Sequence, residues 1–168
     1  MKRDSEKKLE IQKPLKKQSN FSSWILKDLE DTIRFGEHLI QSFPNIRILL
    51  LQGELGAGKT SLVKGIAKGI GITDPVTSPT FALAHHYRNE QFSLIHMDLY
   101  RLNDTKAANE LFLQEEEELC NIKGIMIVEW PERLNLFLAE AWKVKLEYTN
   151  NEERIIQLFL PKSESRNP

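Results

Sequence analysis

Apolar residues fall along this chain in three rhythms, and each predicts a kind of element. Over residues 46–52 they run almost without interruption and stop at a glycine, the pattern of a strand buried on both faces. Beyond Gly53 the rhythm becomes helical. Leu62, Val63, Ile66, Ala67 and Ile70 recur at three- and four-residue spacing, and Gly71 stands where a C-terminal cap belongs. Residues 81–88 and 92–99 then read as two strands around Asn89-Glu90-Gln91, which predicts a hairpin. In the second of these His96, Asp98 and Tyr100 share one face, while Ile95, Met97 and Leu99 share the other.

The remaining stretches fill in around this centre. Residues 124–128 are another apolar run, ending at Glu129-Trp130-Pro131-Glu132. Residues 142–149 and 154–160 form a last strand pair around Asn150-Asn151. Near the start, a strand from Phe21 leads to a helix capped by Asp28, with Leu29, Ile33, Leu39 and Ile40 predicted to face inward and Gly36 weakening it. Glu115 to Glu118, after Leu111-Phe112-Leu113, read as a helix with a solvated acidic face.

Between the buried strand and the helix lies Gly53-Glu54-Leu55-Gly56-Ala57-Gly58-Lys59-Thr60, which fills the phosphate-loop pattern of Gly, four residues and Gly-Lys-Thr. The chemistry demands these residue types because the backbone itself must wrap an anion, so Cβ atoms are unwelcome where it passes closest. Amides from Leu55 to Thr60 would face phosphate oxygens, aided by the positive end of the helix dipole. Lys59 would reach the outer phosphates, and Thr60 would offer a hydroxyl to Mg2+. Val76-Thr77-Ser78-Pro79-Thr80-Phe81 is a hydroxyl-rich loop that its proline keeps out of helix. It reads either as a connecting turn or as a switch in which Thr80 meets a metal or the attacking water. Asp98 and Glu129 each emerge from a strand end, and either can serve as the acid of the metal shell. His85 and His86 point to opposite faces of one strand and so cannot chelate one ion together.

Composition narrows the classes. The chain has 168 residues, 40% hydrophobic and 28% charged, with a net charge of −1, so it is expected to be a soluble domain without a global nucleic-acid signature. No apolar run approaches a membrane span, Cys120 alone excludes an intramolecular disulfide, and a cytoplasmic location is expected. Residues 1–20 hold seven Lys or Arg against three acids and read as a basic disordered tail, with residues 21–161 as the domain and 162–168 as a frayed end.

Four motifs in order, Gly53–Thr60, Ser78-Pro79-Thr80-Phe81, His96-Met97-Asp98-Leu99-Tyr100-Arg101-Leu102 and Val128-Glu129-Trp130-Pro131-Glu132, give the chain a resemblance to the bacterial TsaE (YjeE) family. The resemblance implies an α/β, P-loop NTPase-like three-layer fold whose mixed central sheet, with antiparallel hairpins, is flanked by helices. It implies slow ATP hydrolysis with Mg2+ in tRNA threonylcarbamoyladenosine biosynthesis, with TsaB and TsaD as partners and tRNA engaged through their complex. Residue by residue, it puts Leu55, Gly56, Ala57, Gly58, Lys59, Thr60 and Ser61 on the phosphates and makes Thr60 and Glu129 metal ligands. Asp98 becomes the acid supporting metal binding and hydrolysis, and Thr80 the switch. Trp130, Glu132 and Arg154 fall beside the nucleotide, and Leu29 with Thr32 beside the base. Glu54 departs from the aspartate usual at its place. A small-molecule kinase would share the phosphate loop but needs an arginine-bearing lid, and only Arg101, Arg133 and Arg154 follow the hairpin before the C-terminal tail. A nucleotide switch without hydrolysis is the other alternative.

Overall fold

The computed structural model of the chain describes residues 14, 16–17, 21–149 and 153–161. In chain order the elements are β1 (Lys16–Lys17), β2 (Phe21–Leu26), α1 (Leu29–Ser42), β3 (Ile48–Gln52), α2 (Lys59–Gly69), β4 (Ala84–Arg88), β5 (Ser93–Asp98), α3 (Thr105–Cys120), β6 (Gly124–Glu129), β7 (Trp142–Tyr148) and β8 (Arg154–Phe159). The strands form one sheet in the order β1-β2-β8-β7-β3-β6-β5-β4. At its centre β5, β6, β3 and β7 run parallel. β4 pairs antiparallel with β5 at one end, and β8, β2 and β1 continue antiparallel at the other. This is the mixed sheet with hairpins that the resemblance implies. The predicted N-terminal tail lies outside the described residues except for Pro14, Lys16 and Lys17. The predicted C-terminal tail lies wholly outside them.

Helices cover both faces, giving three layers. Under α1 and α2 the core gathers Phe35, Leu39, Leu49, Leu51, Leu62, Ile66, Ile127 and Val144. Under α3, Phe112, Ala108 and Leu119 pack on Ile95, Met97, Leu99, Met126 and Val128. Alternation along β5 and β6 thus supplies both cores, which is why these strands read as continuous apolar runs. α1 begins on the predicted cap, with the Asp28 carboxylate accepting from the Asp31 amide at 2.7 Å. Gly36, expected to weaken α1, is where the helices meet: a Cβ there would stand 2.4 Å from the Leu62 carbonyl oxygen, and one on Gly65 1.9 Å from that of Ile33. Only glycine permits that approach.

Several expectations change. Strand β4 begins at Ala84, not Phe81. Residues 81–83 turn, with Leu83 at φ 67° donating its amide to the Pro79 carbonyl, and Phe81 stands 88% exposed. Leu29 is exposed too, because it opens α1 at the rim of the phosphate loop rather than on its core face. Ile33 is half-buried. The strand expected from residue 46 starts at Ile48, although Ile46 is buried. Glu115 is not on a solvated face: it is buried, with the His86 Nε2 2.9 Å from its carboxylate. Glu118 lies beside His86 and takes Arg88 at 2.6 Å, so this cluster ties edge strand β4 to α3. His85 instead meets the Tyr87 hydroxyl on the other face, as alternation requires.

Candidate nucleotide site

β3 delivers the chain to Gly53 at the C-terminal edge of the parallel strands, where open α/β sheets bind ligands. From there it must reverse and enter α2 within a few residues. Gly56 (φ 80°) and Gly58 (φ 104°) take left-handed backbone conformations that make this possible. A Cβ on Gly58 would meet Arg154, Leu29 and Thr32 at 3.5–3.6 Å, so the loop is enclosed on that side. Lys59, the first residue of α2, is 5% exposed. Its ammonium donates to the carbonyls of Gly53 (2.8 Å) and Glu54 (2.9 Å) and lies 4.3 Å from the centre of the Trp130 ring. Burial pushes the Lys59 ammonium below the ordinary lysine value, and the carboxylates of Glu129, Asp98 and Glu132 pull it partly back.

The two candidate acids are register partners at the ends of adjacent parallel strands, and each is 3% exposed. Their hydrogen bonds differ. Glu129 Oε1 accepts from the Thr60 hydroxyl at 2.9 Å and contacts His96 Nε2 at 2.9 Å. Asp98 Oδ2 accepts from Thr80 (2.5 Å) and Ser78 (3.1 Å), while its Oδ1 takes the Tyr100 amide at 3.0 Å. A hydroxyl in the first turn of the phosphate-loop helix and a carboxylate at the adjacent strand end are hard oxygen donors, suited to Mg2+.

A cavity of about 220 Å³ opens over these groups, and Leu55, Gly56, Gly58, Lys59, Thr60 and Ser61 form its floor. Thr80, Asp98, Glu129, Trp130 and Leu29 supply its walls. Arg154 lines a neighbouring hollow of about 710 Å³ with Leu29 and Tyr148. Ala57 and Glu132 border a groove of about 600 Å³ on the other side of Tyr148, which Trp130 shares. Thr32 is fully buried and turns its hydroxyl to the Asp28 carbonyl, so it supports Gly58 with its methyl group.

Sequence reasoning left out three residues that the geometry brings in. Tyr148 donates its hydroxyl to the Gly56 carbonyl and carries the Arg154 guanidinium over its ring. No local signal marks it, since Gly56 lies 92 positions away. Ser78 shares the Asp98 carboxylate with Thr80, and the hydroxyl richness of its loop was the available signal. His96 shares a strand face with Asp98, but nothing in the pattern ties it to Glu129.

Sheet order, loop conformation and the helix that follows define a phosphate-loop α/β protein. A profile of the TsaE family, described as threonylcarbamoyl adenosine biosynthesis protein TsaE, matches residues 26–156. The tRNA threonylcarbamoyladenosine biosynthesis protein TsaE of Synechocystis sp. is 46% identical over 118 residues, 68% of this chain and 73% of that protein. Its namesake in Nostoc sp. is 40% identical over 129 residues, 77% of this chain and 80% of that one. Among solved structures, Bacillus subtilis YdiB superposes with a TM-score of 0.66 at 27% identity, covering 87% of this chain and 89% of that one. The chain belongs to the TsaE family of tRNA threonylcarbamoyladenosine biosynthesis.

Proposed function

We propose that residues 21–161 bind ATP with Mg2+ in this cavity and hydrolyse it slowly, in the cytoplasm. The activity serves the machinery that attaches threonylcarbamoyl to N6 of the adenosine beside the anticodon, in which the chain acts with TsaB and TsaD and meets tRNA through their complex. The observation that carries this reading is the 2.9 Å hydrogen bond from Thr60 to Glu129, which brings the hydroxyl of the phosphate-loop helix onto the acid at the end of the adjacent strand.

Each residue then has a physical role. Loop amides and Lys59 hold the phosphates, Lys59 exchanging loop carbonyls for phosphate oxygens. Thr60 and Glu129 hold the metal, whose charge offsets that of the phosphates. Asp98 stands beside them with two loop hydroxyls on one oxygen, so it orients the Ser78–Thr80 loop and the water that loop faces. Leu29, Tyr148 and Arg154 border the base, and Trp130 covers the Lys59 ammonium. Among the described residues no helix is long and apolar enough to cross a membrane.

The test is phosphate release from ATP by the purified chain, alone and with TsaB, TsaD and tRNA. Stimulation by the full set, lost in Lys59→Ala, is expected. Transfer of the phosphate to a small acceptor would replace this reading with a kinase, and tight binding without phosphate release under any condition would replace it with a nucleotide switch.

A further inference from the structure

His96 is fully buried in the middle of β5, on the strand face that carries Asp98. An apolar side chain would suit that place better. Its register partner on β6 is Ile127, and Leu94 two residues back is wholly buried in the same core. Placing an imidazole there costs free energy unless its polar atoms are matched. One is matched: Nε2 lies 2.9 Å from Glu129 Oε1. The other, Nδ1, is buried with no hydrogen-bond partner among the described residues. A carboxylate oxygen accepts, so Nε2 is the donor in this contact and Nδ1 is left without a partner among the described residues. Among the described residues the single polar partner of the His96 ring is therefore the acid at the centre of the site.

Resting on the reading of Glu129 as the metal acid, we infer that His96 is a positioning residue: it donates to Glu129 Oε1 and fixes that carboxylate for the divalent cation. Glu129 has two inputs, with different attachments. Thr60 rides on α2 and is itself a cation donor, whereas His96 belongs to the sheet and has no access to the cavity. When the Thr60 hydroxyl turns to the cation, His96 keeps one carboxylate oxygen anchored and leaves the other, which has no hydrogen bond among the described residues, for coordination. Outer-shell partners of this kind alter metal affinity about 10–100-fold.

The experiment is Mn2+ titration of the full chain saturated with ADP, followed by loss of the free-ion electron paramagnetic resonance signal, with ADP affinity measured separately in EDTA. His96→Leu is expected to weaken Mn2+ about tenfold and leave ADP binding in EDTA within about twofold of wild type. His96→Gln, whose amide reaches the place of Nε2, is expected to restore most of the Mn2+ affinity. His96→Asn buries the same amide one methylene short and is expected to behave like His96→Leu. Should the leucine variant fail to fold, the Gln and Asn pair decides. Wild-type Mn2+ affinity in His96→Leu, or equal affinities in His96→Gln and His96→Asn, overturns the inference. Unchanged Mn2+ binding in Glu129→Gln would overturn the metal assignment itself, and this inference with it.

Discussion

Glu129 and Asp98 make a natural comparison, because register, burial and charge are the same for both and only their partners differ. Glu129 is held by groups from the rigid frame, the first turn of α2 and the middle of β5. Asp98 is held by hydroxyls of a loop, with Ser78 and Thr80 sharing one of its oxygens. Two acids at one sheet edge are thus divided by what they are tied to. One is tied to the helix and sheet that build the scaffold, while the other is tied to a loop.

Removing what the two acids share should have the largest effect. Lys59→Ala takes away an ammonium in the cavity floor on which both carboxylates act, so ATP binding by calorimetry should weaken at least about a hundredfold, roughly 3 kcal/mol. The acids themselves come next. Asp98→Asn should leave ATP affinity within about threefold and cut phosphate release about a hundredfold, since an amide cannot accept from both hydroxyls and orient water equally well. Smaller still is Thr80→Val, which keeps side-chain volume and deletes the 2.5 Å hydrogen bond to Asp98. Turnover should fall about tenfold in the same assay, with Mg2+ dependence unchanged. Tyr148→Phe loses only the bond to the Gly56 carbonyl, and fluorescence titration with a nucleotide analogue should show about fivefold weaker binding, near 1 kcal/mol. An effect of Thr80→Val on metal affinity would erase the distinction between the two acids.

The frame was more legible in the sequence than the links across it. β3, the phosphate loop and α2 follow one another, so a buried run, three glycines and a helical period were enough to place them. The Asp28 cap and the Asn89 turn are local as well, with Asn89 Oδ1 accepting the Gln91 and Phe92 amides. Contacts between distant residues left no such trace. Thr60 meets Glu129 across 69 positions, and Arg47 closes the end of α3 on the Leu119, Ile122 and Gly124 carbonyls from 72 to 77 positions away. Glu115 shows the cost. Its run of acids suggested solvent, but His86 on a strand formed far upstream takes it inside. Leu29 erred the other way, since an apolar residue in a helix's first turn can face a binding site as readily as a core.

The most direct test of a frame-held metal acid beside a loop-held one is calorimetric ATP binding to Glu129→Gln and Asp98→Asn, each with Mg2+ and with EDTA. The predicted result is that Glu129→Gln loses the gain in affinity that Mg2+ confers on wild type, about tenfold or more, while Asp98→Asn keeps it. Retention of that gain in Glu129→Gln with its loss in Asp98→Asn would contradict the account and exchange the roles of the two acids.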